Sequence, residues 1–241
     1  MRFSSIVTLL ILCAIAAGAA WWARDYVRRH PQDVPWTDLS LADPLGKFTG
    51  RKLAALTGET RQCLALLDGA KVAYTALPPR KEGQCGYEDA VRMRTSDALN
   101  LSWRPADLGV SCPVAAALML WNREVVQPAA ERHLGARVIR LDTFGSYNCR
   151  RMYGRDTGDW SEHSTADAVD IAAFRLDDGR SIGVKADWSG DPTRAAFLRD
   201  VRDGACELFS TVLSPDYNAA HADHLHLDQA ERGNKGWRAC R

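Results

Sequence analysis

The chain lacks the usual signatures of nucleotide and nucleic-acid binding. Its 241 residues contain no Walker motif and no G-x-G-x-x-G loop, the common phosphate-binding sequences. No basic tract stands out, and a net charge of +1 gives no electrostatic reason to expect a nucleic acid. A G-x-S-x-G motif is also absent, so a serine nucleophile has no support. The sequence therefore predicts neither a nucleotide nor a nucleic acid as a partner.

Cysteine is scarce and is not spaced for metal binding. The seven cysteines include no C-x-x-C pair, which disfavours a thiolate zinc site or a redox centre. One, Cys13, lies in an apolar N-terminal run. The other six are Cys63, Cys85, Cys112, Cys149, Cys206 and Cys240. Six separate cysteines behind an export signal predict three disulfides formed in an oxidising compartment, and buried thiols in the cytosol are the alternative. Pairing neighbours in sequence gives Cys63–Cys85, Cys112–Cys149 and Cys206–Cys240, one of fifteen possible connectivities.

The N-terminus predicts a targeting segment. Residues 5–22 form an uncharged apolar run of eighteen residues, close to the minimum for a membrane-spanning helix. Small residues at 16–20 would suit a signal peptidase, but the length of the run and its terminal tryptophan pair favour a retained signal-anchor. Arg2 alone precedes the run, while Arg24, Arg28 and Arg29 follow it. This imbalance favours a cytoplasmic C-terminus, whereas the cysteines favour export. We expect a single-pass inner-membrane protein whose soluble domain faces the periplasm, with secretion after signal cleavage as the alternative.

Helical and strand patterns are mixed along the rest of the chain. The predicted helices are capped by Thr60, Ser111 and Thr193, and the predicted strands lie at 71–75, 90–93, 137–143, 168–174 and 181–187. Pro128 is expected to break or kink the second helix. Because no βαβ repeat appears, we expect an α+β fold with a small, mainly antiparallel sheet flanked by helices, stabilised by disulfides and preceded by one transmembrane helix. The predicted organisation is an anchor at 1–24, a proline-containing tether at 25–58 and one domain at 59–241.

Histidines and acids concentrate in two segments of this domain. Residues 161–170 read Ser-Glu-His-Ser-Thr-Ala-Asp-Ala-Val-Asp, and residues 221–228 read His-Ala-Asp-His-Leu-His-Leu-Asp. Together they hold four of the six histidines in the chain. His163, Asp170 and His226 could bind one Zn²⁺ and leave its fourth position to water, as catalytic zinc sites do. A lone histidine is more often a surface or core residue, but the two segments together favour a metal site.

Strand alternation assigns roles to the neighbouring side chains. Asp170 is predicted to lie on one face of its strand between two small alanines, with room for an ion. His224, His226 and Asp228 share one face of a second strand, so His226 can be a ligand while His224 acts as general base beside the water. Asp223 and Asp228 are placed to accept the outer N–H of an imidazole.

Two further residues near the predicted ligands have less specific roles. Ser161, two residues before His163, is expected to be a hydroxyl of the loop or one that supports the ligand. His221 has three possible roles, namely an additional ligand, a substrate contact or a loop residue, and we favour the last two.

These motifs resemble those of known cell-wall proteins. Residues 161–170 resemble the S-x-H-x-x-G-x-A-x-D motif of the zinc D-Ala-D-Ala carboxypeptidases and their lysostaphin and hedgehog relatives, and His224-Leu-His226 is similar to their H-x-H. From about Cys63 onward the chain more closely resembles bacterial extensin-like C-terminal domain proteins. That likeness rests on residues 112–118, 145–150, 161–163, 196–206 and 216–228. One departure is Ala166, which replaces the superfamily's glycine, and a backbone with positive φ would favour glycine there.

The residues predict a membrane-tethered zinc hydrolase, and the resemblance implies a peptidase that cleaves amide bonds in peptidoglycan stem peptides or cross-links. Arg150 occupies the place of the peptidases' G-Y-R segment and would stabilise the oxyanion, with a plain surface charge as the alternative. The alternative function is a catalytically inactive cell-wall-binding module that retains the metal-site architecture. The expected cofactor is Zn²⁺, and the expected partners are peptidoglycan or a cell-wall peptide, and the membrane through the N-terminal helix.

Overall fold

A computed structural model describes residues 3–96, 99–232 and 238–241, so the predicted contribution of Arg2 to orientation lies outside the described residues. The helices are α1 (Phe3–Arg29), α2 (Thr49–Ala54), α3 (Thr60–Gly69), α4 (Cys112–Trp121), α5 (Gln127–Leu134), α6 (Val184–Asp187) and α7 (Pro192–Cys206). The strands are β1 (Tyr74–Ala76), β2 (Arg80–Glu82), β3 (Cys85–Tyr87), β4 (Val91–Met93), β5 (Ser102–Arg104), β6 (Val138–Gly145), β7 (Ala168–Leu176), β8 (Ser181–Gly183), β9 (Thr211–Leu213), β10 (Leu225–Asp228) and β11 (Ala239–Cys240).

The main sheet has the strand order β11-β9-β10-β7-β6-β5, with β8 also paired to β7. The pairs β5–β6 and β9–β11 are parallel, and the other pairs in this sheet are antiparallel. The predicted α+β class with a mainly antiparallel sheet is confirmed. The sequence pattern does not predict β5 or β9, which are only three residues long, and the predicted strand at 181–187 ends at Gly183, where α6 follows.

Helix α4 is the centre of the core, and every one of its residues is buried. Its predicted cap is confirmed, because the Ser111 hydroxyl accepts a hydrogen bond from the Val114 N–H. The predicted interruption at Pro128 takes the form of a π turn at Asn122–Val126, after which Pro128 occupies the first turn of α5. The helix continues without a break through Pro128, and the wider π turn before it accommodates the proline.

Two other predicted helix caps are wrong. The cap of α7 is Asp191, whose carboxylate accepts from the N–H groups of Thr193 and Arg194, so Thr193 already lies inside the helix. Pro192 at the first helical position explains the earlier start. Thr60 is likewise the first residue of α3 and makes no capping hydrogen bond.

The segment at 25–58, predicted to be a tether, instead packs on the domain. Leu41 and Leu53 are buried in the main core. The Arg123 guanidinium donates to the backbone carbonyls of Leu41 (2.6 Å) and Asp43 (2.8 Å). Apolar side chains and bonded carbonyls, rather than the prolines, therefore decide the conformation of this segment.

Helix α1 stands apart from the core. Residues 5–29 form a stretch that is long and apolar enough to cross a membrane. No residue in the most apolar part of this stretch is buried in the fold. A membrane anchor and a signal sequence both have this character.

Three disulfides are present as predicted, but two of the predicted pairs are wrong. The observed pairs are Cys63–Cys112, Cys85–Cys149 and Cys206–Cys240. The first joins α3 to α4, which pack side by side, and the second joins β3 to the loop after β6. Pairing by nearness in sequence fails because packing brings distant segments together.

Helix α7 packs tightly against the π turn. The Trp121 ring N–H donates to the Val201 carbonyl at 2.8 Å. At Gly204 the approach is so close that a Cβ would lie 2.3 Å from Val125 Cγ1. A β-branched valine cannot swing away easily, so this contact requires glycine.

We therefore expect Gly204→Ala to lower the free energy of unfolding by about 1–3 kcal/mol through overpacking. Urea denaturation would measure it. The control is the double variant Gly204→Ala/Val125→Ala, in which the removed methyls should restore part of the loss. Strictly additive losses would contradict this contact.

Candidate metal centre

The three predicted ligands are brought together by two strands and the turn that precedes them. Asp170 lies in β7 and His226 in β10, and they are direct cross-strand partners in the antiparallel register. His163 lies in a short 3₁₀ turn, Glu162–Thr165, just before β7. All three side chains are buried.

Their donor atoms converge on one point. His163 Nε2 lies 3.2 Å from His226 Nδ1. Asp170 offers Oδ1 at 3.0 Å from His226 Nδ1 and Oδ2 at 3.2 Å from His163 Nε2. One ligand atom from each residue therefore faces the other two, as in a three-residue metal site.

The donors fit a zinc ion. Zn–N bonds of 2.0–2.1 Å in a tetrahedral site separate two ligand nitrogens by about 3.3 Å, close to the spacing of the two imidazoles. Each outer ring nitrogen already has a partner, since His163 Nδ1 donates to the Ser146 carbonyl (2.6 Å) and His226 Nε2 donates to Asp228 (3.1 Å). Such partners fix which nitrogen of a ligating histidine faces the metal.

The electrostatics of the cluster suit a cation. Burial would raise the pKa of Asp170, but its hydrogen bonds to His163 and His226 hold that pKa well below its usual range. Burial would lower the pKa of His226, but its bonds to Asp170 and Asp228 raise it to about 9. The centre is thus an anionic carboxylate facing positive charge on an imidazole, and a metal ion would replace the proton.

His224 lies beside this cluster with the geometry of an oriented base. Its Nδ1 donates to Asp223 at 2.8 Å, and its Nε2 lies 3.5 Å from Asp170 Oδ1. The edge of the ring packs on Phe144, with 5.7 Å between ring centroids. Nε2 therefore faces the ligands while Asp223 holds the other side of the ring.

His221 lies near the ligands but outside the three-residue group. Asn218 Oδ1 accepts from the Ala220 N–H (3.0 Å) and from His221 Nδ1 (2.7 Å), and no described residue hydrogen-bonds to His221 Nε2. Burial and the neighbouring histidines lower the pKa of His221 to about 4, so the ring is neutral at pH 7. A neutral imidazole at the edge of the site suits a substrate contact.

Ser161 and Arg150 both precede the candidate ligand His163 in the chain. The Ser161 hydroxyl accepts from the His163 N–H, and its own N–H donates to the Arg150 carbonyl at 3.2 Å. Within the described part of the chain, the Arg150 guanidinium has no hydrogen bond or ion pair, although its side chain lines the cleft above the ligands. Its charge is available to a bound molecule.

Ala166 adopts the left-handed conformation that glycine would supply, with φ 60° and ψ 16°. Its carbonyl accepts from the Ser111 N–H (2.8 Å) and the Ser146 hydroxyl (3.2 Å). The turn that presents His163 is therefore formed with alanine in place of glycine.

The cluster opens into a cleft of about 900 Å³. Its walls include residues that the sequence pattern does not single out, among them Tyr153, Glu162 and Tyr217. Burial, followed by the nearby charge of Asp228, raises the pKa of Glu162. The sequence offers a signal for two of them, since Glu162 is next to His163 and Tyr217 lies within the 216–228 motif. Nothing in the pattern marks Tyr153.

Comparison with known proteins gives one match. A family model described as Extensin-like protein C-terminus matches residues 61–241, about three quarters of the chain. No curated protein and no solved structure matches the chain.

Substitutions at Ala166 should separate strain from packing. Ala166→Gly relieves a left-handed alanine, worth about 1–2 kcal/mol, and removes a buried methyl, worth about 0.8 kcal/mol. We expect its stability to change by less than about 1 kcal/mol and its metal binding to persist. Ala166→Val, β-branched at a buried position with positive φ, should lose about 2–3 kcal/mol. Thermal unfolding measures both, and an equally stable valine variant would contradict the described turn.

Proposed function

We propose that this chain, which belongs to the Extensin-like protein C-terminus family, is a zinc-dependent hydrolase. The observation that carries the proposal is the convergence of His163, Asp170 and His226 on one point, with the outer ring nitrogens of both histidines already bonded to the protein. Three protein ligands at the base of an open cleft suit a catalytic site better than a closed structural one.

The substrate we propose is an amide bond in peptidoglycan stem peptides or cross-links. Support comes from the resemblance of residues 161–170 and 224–226 to the motifs of zinc cell-wall peptidases. The departure at Ala166 does not weaken it, because alanine forms the required turn. The proposed location is the periplasmic face of the inner membrane or, after signal cleavage, the secreted pool, and three disulfides support an oxidising compartment.

The residues around the site have distinct roles in amide hydrolysis. A zinc ion held by the three ligands would supply a water of lowered pKa and polarise the substrate carbonyl. His224 takes the proton of the attacking water on Nε2 and returns it to the leaving amine, while Asp223 holds the ring and stabilises its charged form. The Arg150 guanidinium would stabilise the negative charge that develops on the carbonyl oxygen.

We expect the purified full chain to carry about one zinc per molecule, as three protein ligands predict. His163→Ala and Asp170→Ala should lose the metal in elemental analysis by mass spectrometry. The matched control is His133→Ala, which removes a histidine bonded to Asp200 outside the cleft and should keep the metal. Equal, negligible zinc in all four proteins would reject the metal site.

The two histidines around Leu225 should behave differently. His226→Ala should lose zinc and some stability, because metal binding contributes to folding. His224→Ala should keep zinc and lose turnover by roughly 10²–10⁴-fold as the general base is removed. Digestion of purified peptidoglycan, with released muropeptides identified by mass, gives the rates.

A wild-type protein that holds zinc and binds cell wall but releases no muropeptide would favour the inactive binding module instead. Loss of zinc in His224→Ala, with zinc and turnover kept in His226→Ala, would reverse the assignment of ligand and base.

A further inference from the structure

Exposed aromatic side chains of the folded part gather around the metal cleft. Among the described residues after α1, the exposed large apolar side chains are Trp36, Ile139, Phe144, Met152, Tyr153, Trp160 and Tyr217. Met152, Tyr153 and Tyr217 line the cleft, and Phe144 contacts His224. Soluble domains seldom collect exposed rings at one place without a binding role.

Two of these rings, which we call the tyrosine pair, belong to different loops. Tyr153 lies between β6 and β7, and Tyr217 lies between β9 and β10. Their hydroxyl groups interact, and this contact raises the pKa of Tyr217. The ring centroids of Tyr217 and His221 are 5.5 Å apart, and those of His221 and His224 are 5.2 Å apart. The tyrosine pair is therefore continuous with the side of the cleft that holds His224.

The loop that carries Tyr153 is built to present it. Tyr153 has φ +57°, a conformation that costs a non-glycine residue about 1–2 kcal/mol, yet its ring remains 52% exposed. The backbones of Arg151 and Trp160 form an antiparallel β-bridge, and the Arg151 guanidinium stacks on the Trp160 ring, 4.5 Å from its centroid. A strained backbone near a functional site, in a loop that these contacts stabilise, indicates that the Tyr153 side chain is held in place to contact a ligand.

The chemistry of the surroundings selects the kind of ligand. A wholly apolar partner would leave the Arg150 guanidinium without a hydrogen bond. A polyanion would meet carboxylates, since Glu162 and Asp216 also line the cleft. A pyranose ring meets both conditions, because its C–H face packs on an aromatic ring while its hydroxyl and amide groups hydrogen-bond at the edges.

We propose that the tyrosine pair is a saccharide-binding platform, which holds the glycan strand of the cell wall while the attached peptide reaches the metal centre. This inference rests on the proposed function for its choice of polymer. It assigns glycan recognition to Tyr153 and Tyr217 and leaves amide cleavage to the ligands and His224.

The test measures binding separately from cleavage. Peptide-free glycan strands and isolated stem peptides are titrated into the full chain by calorimetry. The wild type should bind the glycan strands. Tyr153→Ala and Tyr217→Ala should each weaken that binding by about tenfold, the size of one aromatic contact. Trp36→Ala, which removes an exposed ring outside the cleft, is the matched control and should bind like the wild type.

Tyr153→Phe and Tyr217→Phe are the controls for misfolding. They keep the aromatic rings and should retain most of the glycan binding. Glycan strands that do not bind, or that bind equally to wild type and alanine variants, overturn the platform. Stem peptides whose binding alone falls in the alanine variants also overturn it, in favour of peptide recognition. A wild type that binds glycan through the pair without releasing muropeptides supports the platform and rejects only the hydrolase.

Discussion

The candidate site depends on the antiparallel register of β7 and β10, which sets Asp170 directly opposite His226. Side chains alternate between the faces of a strand, so a slip of one residue would turn one of them into the core. Leu225 and Leu227 oppose such a slip because both are fully buried on the other face. The apolar packing that stabilises the sheet therefore also sets the spacing of two candidate metal ligands.

The third ligand is held by the helical core rather than by the sheet. The turn that carries His163 ends at Ala166, whose carbonyl is bonded to the N–H of Ser111 at the start of α4. The Ser111 hydroxyl also donates to Asp167 at 2.6 Å, and burial raises the pKa of Asp167 well above its usual range. Ser111 thus caps the buried helix α4 and also binds the turn that carries His163. The position of this candidate ligand therefore depends on how α4 packs.

The cleft combines two kinds of surface. At its base lie buried histidines and carboxylates that suit a metal ion, and at its rim lie exposed rings and the Arg150 guanidinium, which suit a large ligand. This combination suits the proposed hydrolysis of a polymer, because that chemistry needs fixed donors while its substrate needs an open approach. Among the described residues between α1 and this domain, Leu39, Leu41, Leu53 and Leu56 are buried in the main core.

Local patterns in the sequence by themselves determined several features. Alternation placed Leu225 and Leu227 in the core, Ser111 marked a helix start, and the apolar run predicted α1, because each depends on residues near one another in the chain. Tertiary structure alone decided the disulfide partners, the packing of residues 25–58 and the meeting of Tyr153 with Tyr217. Those contacts join residues far apart in sequence, and only the packing of whole helices and strands determines which distant surfaces touch.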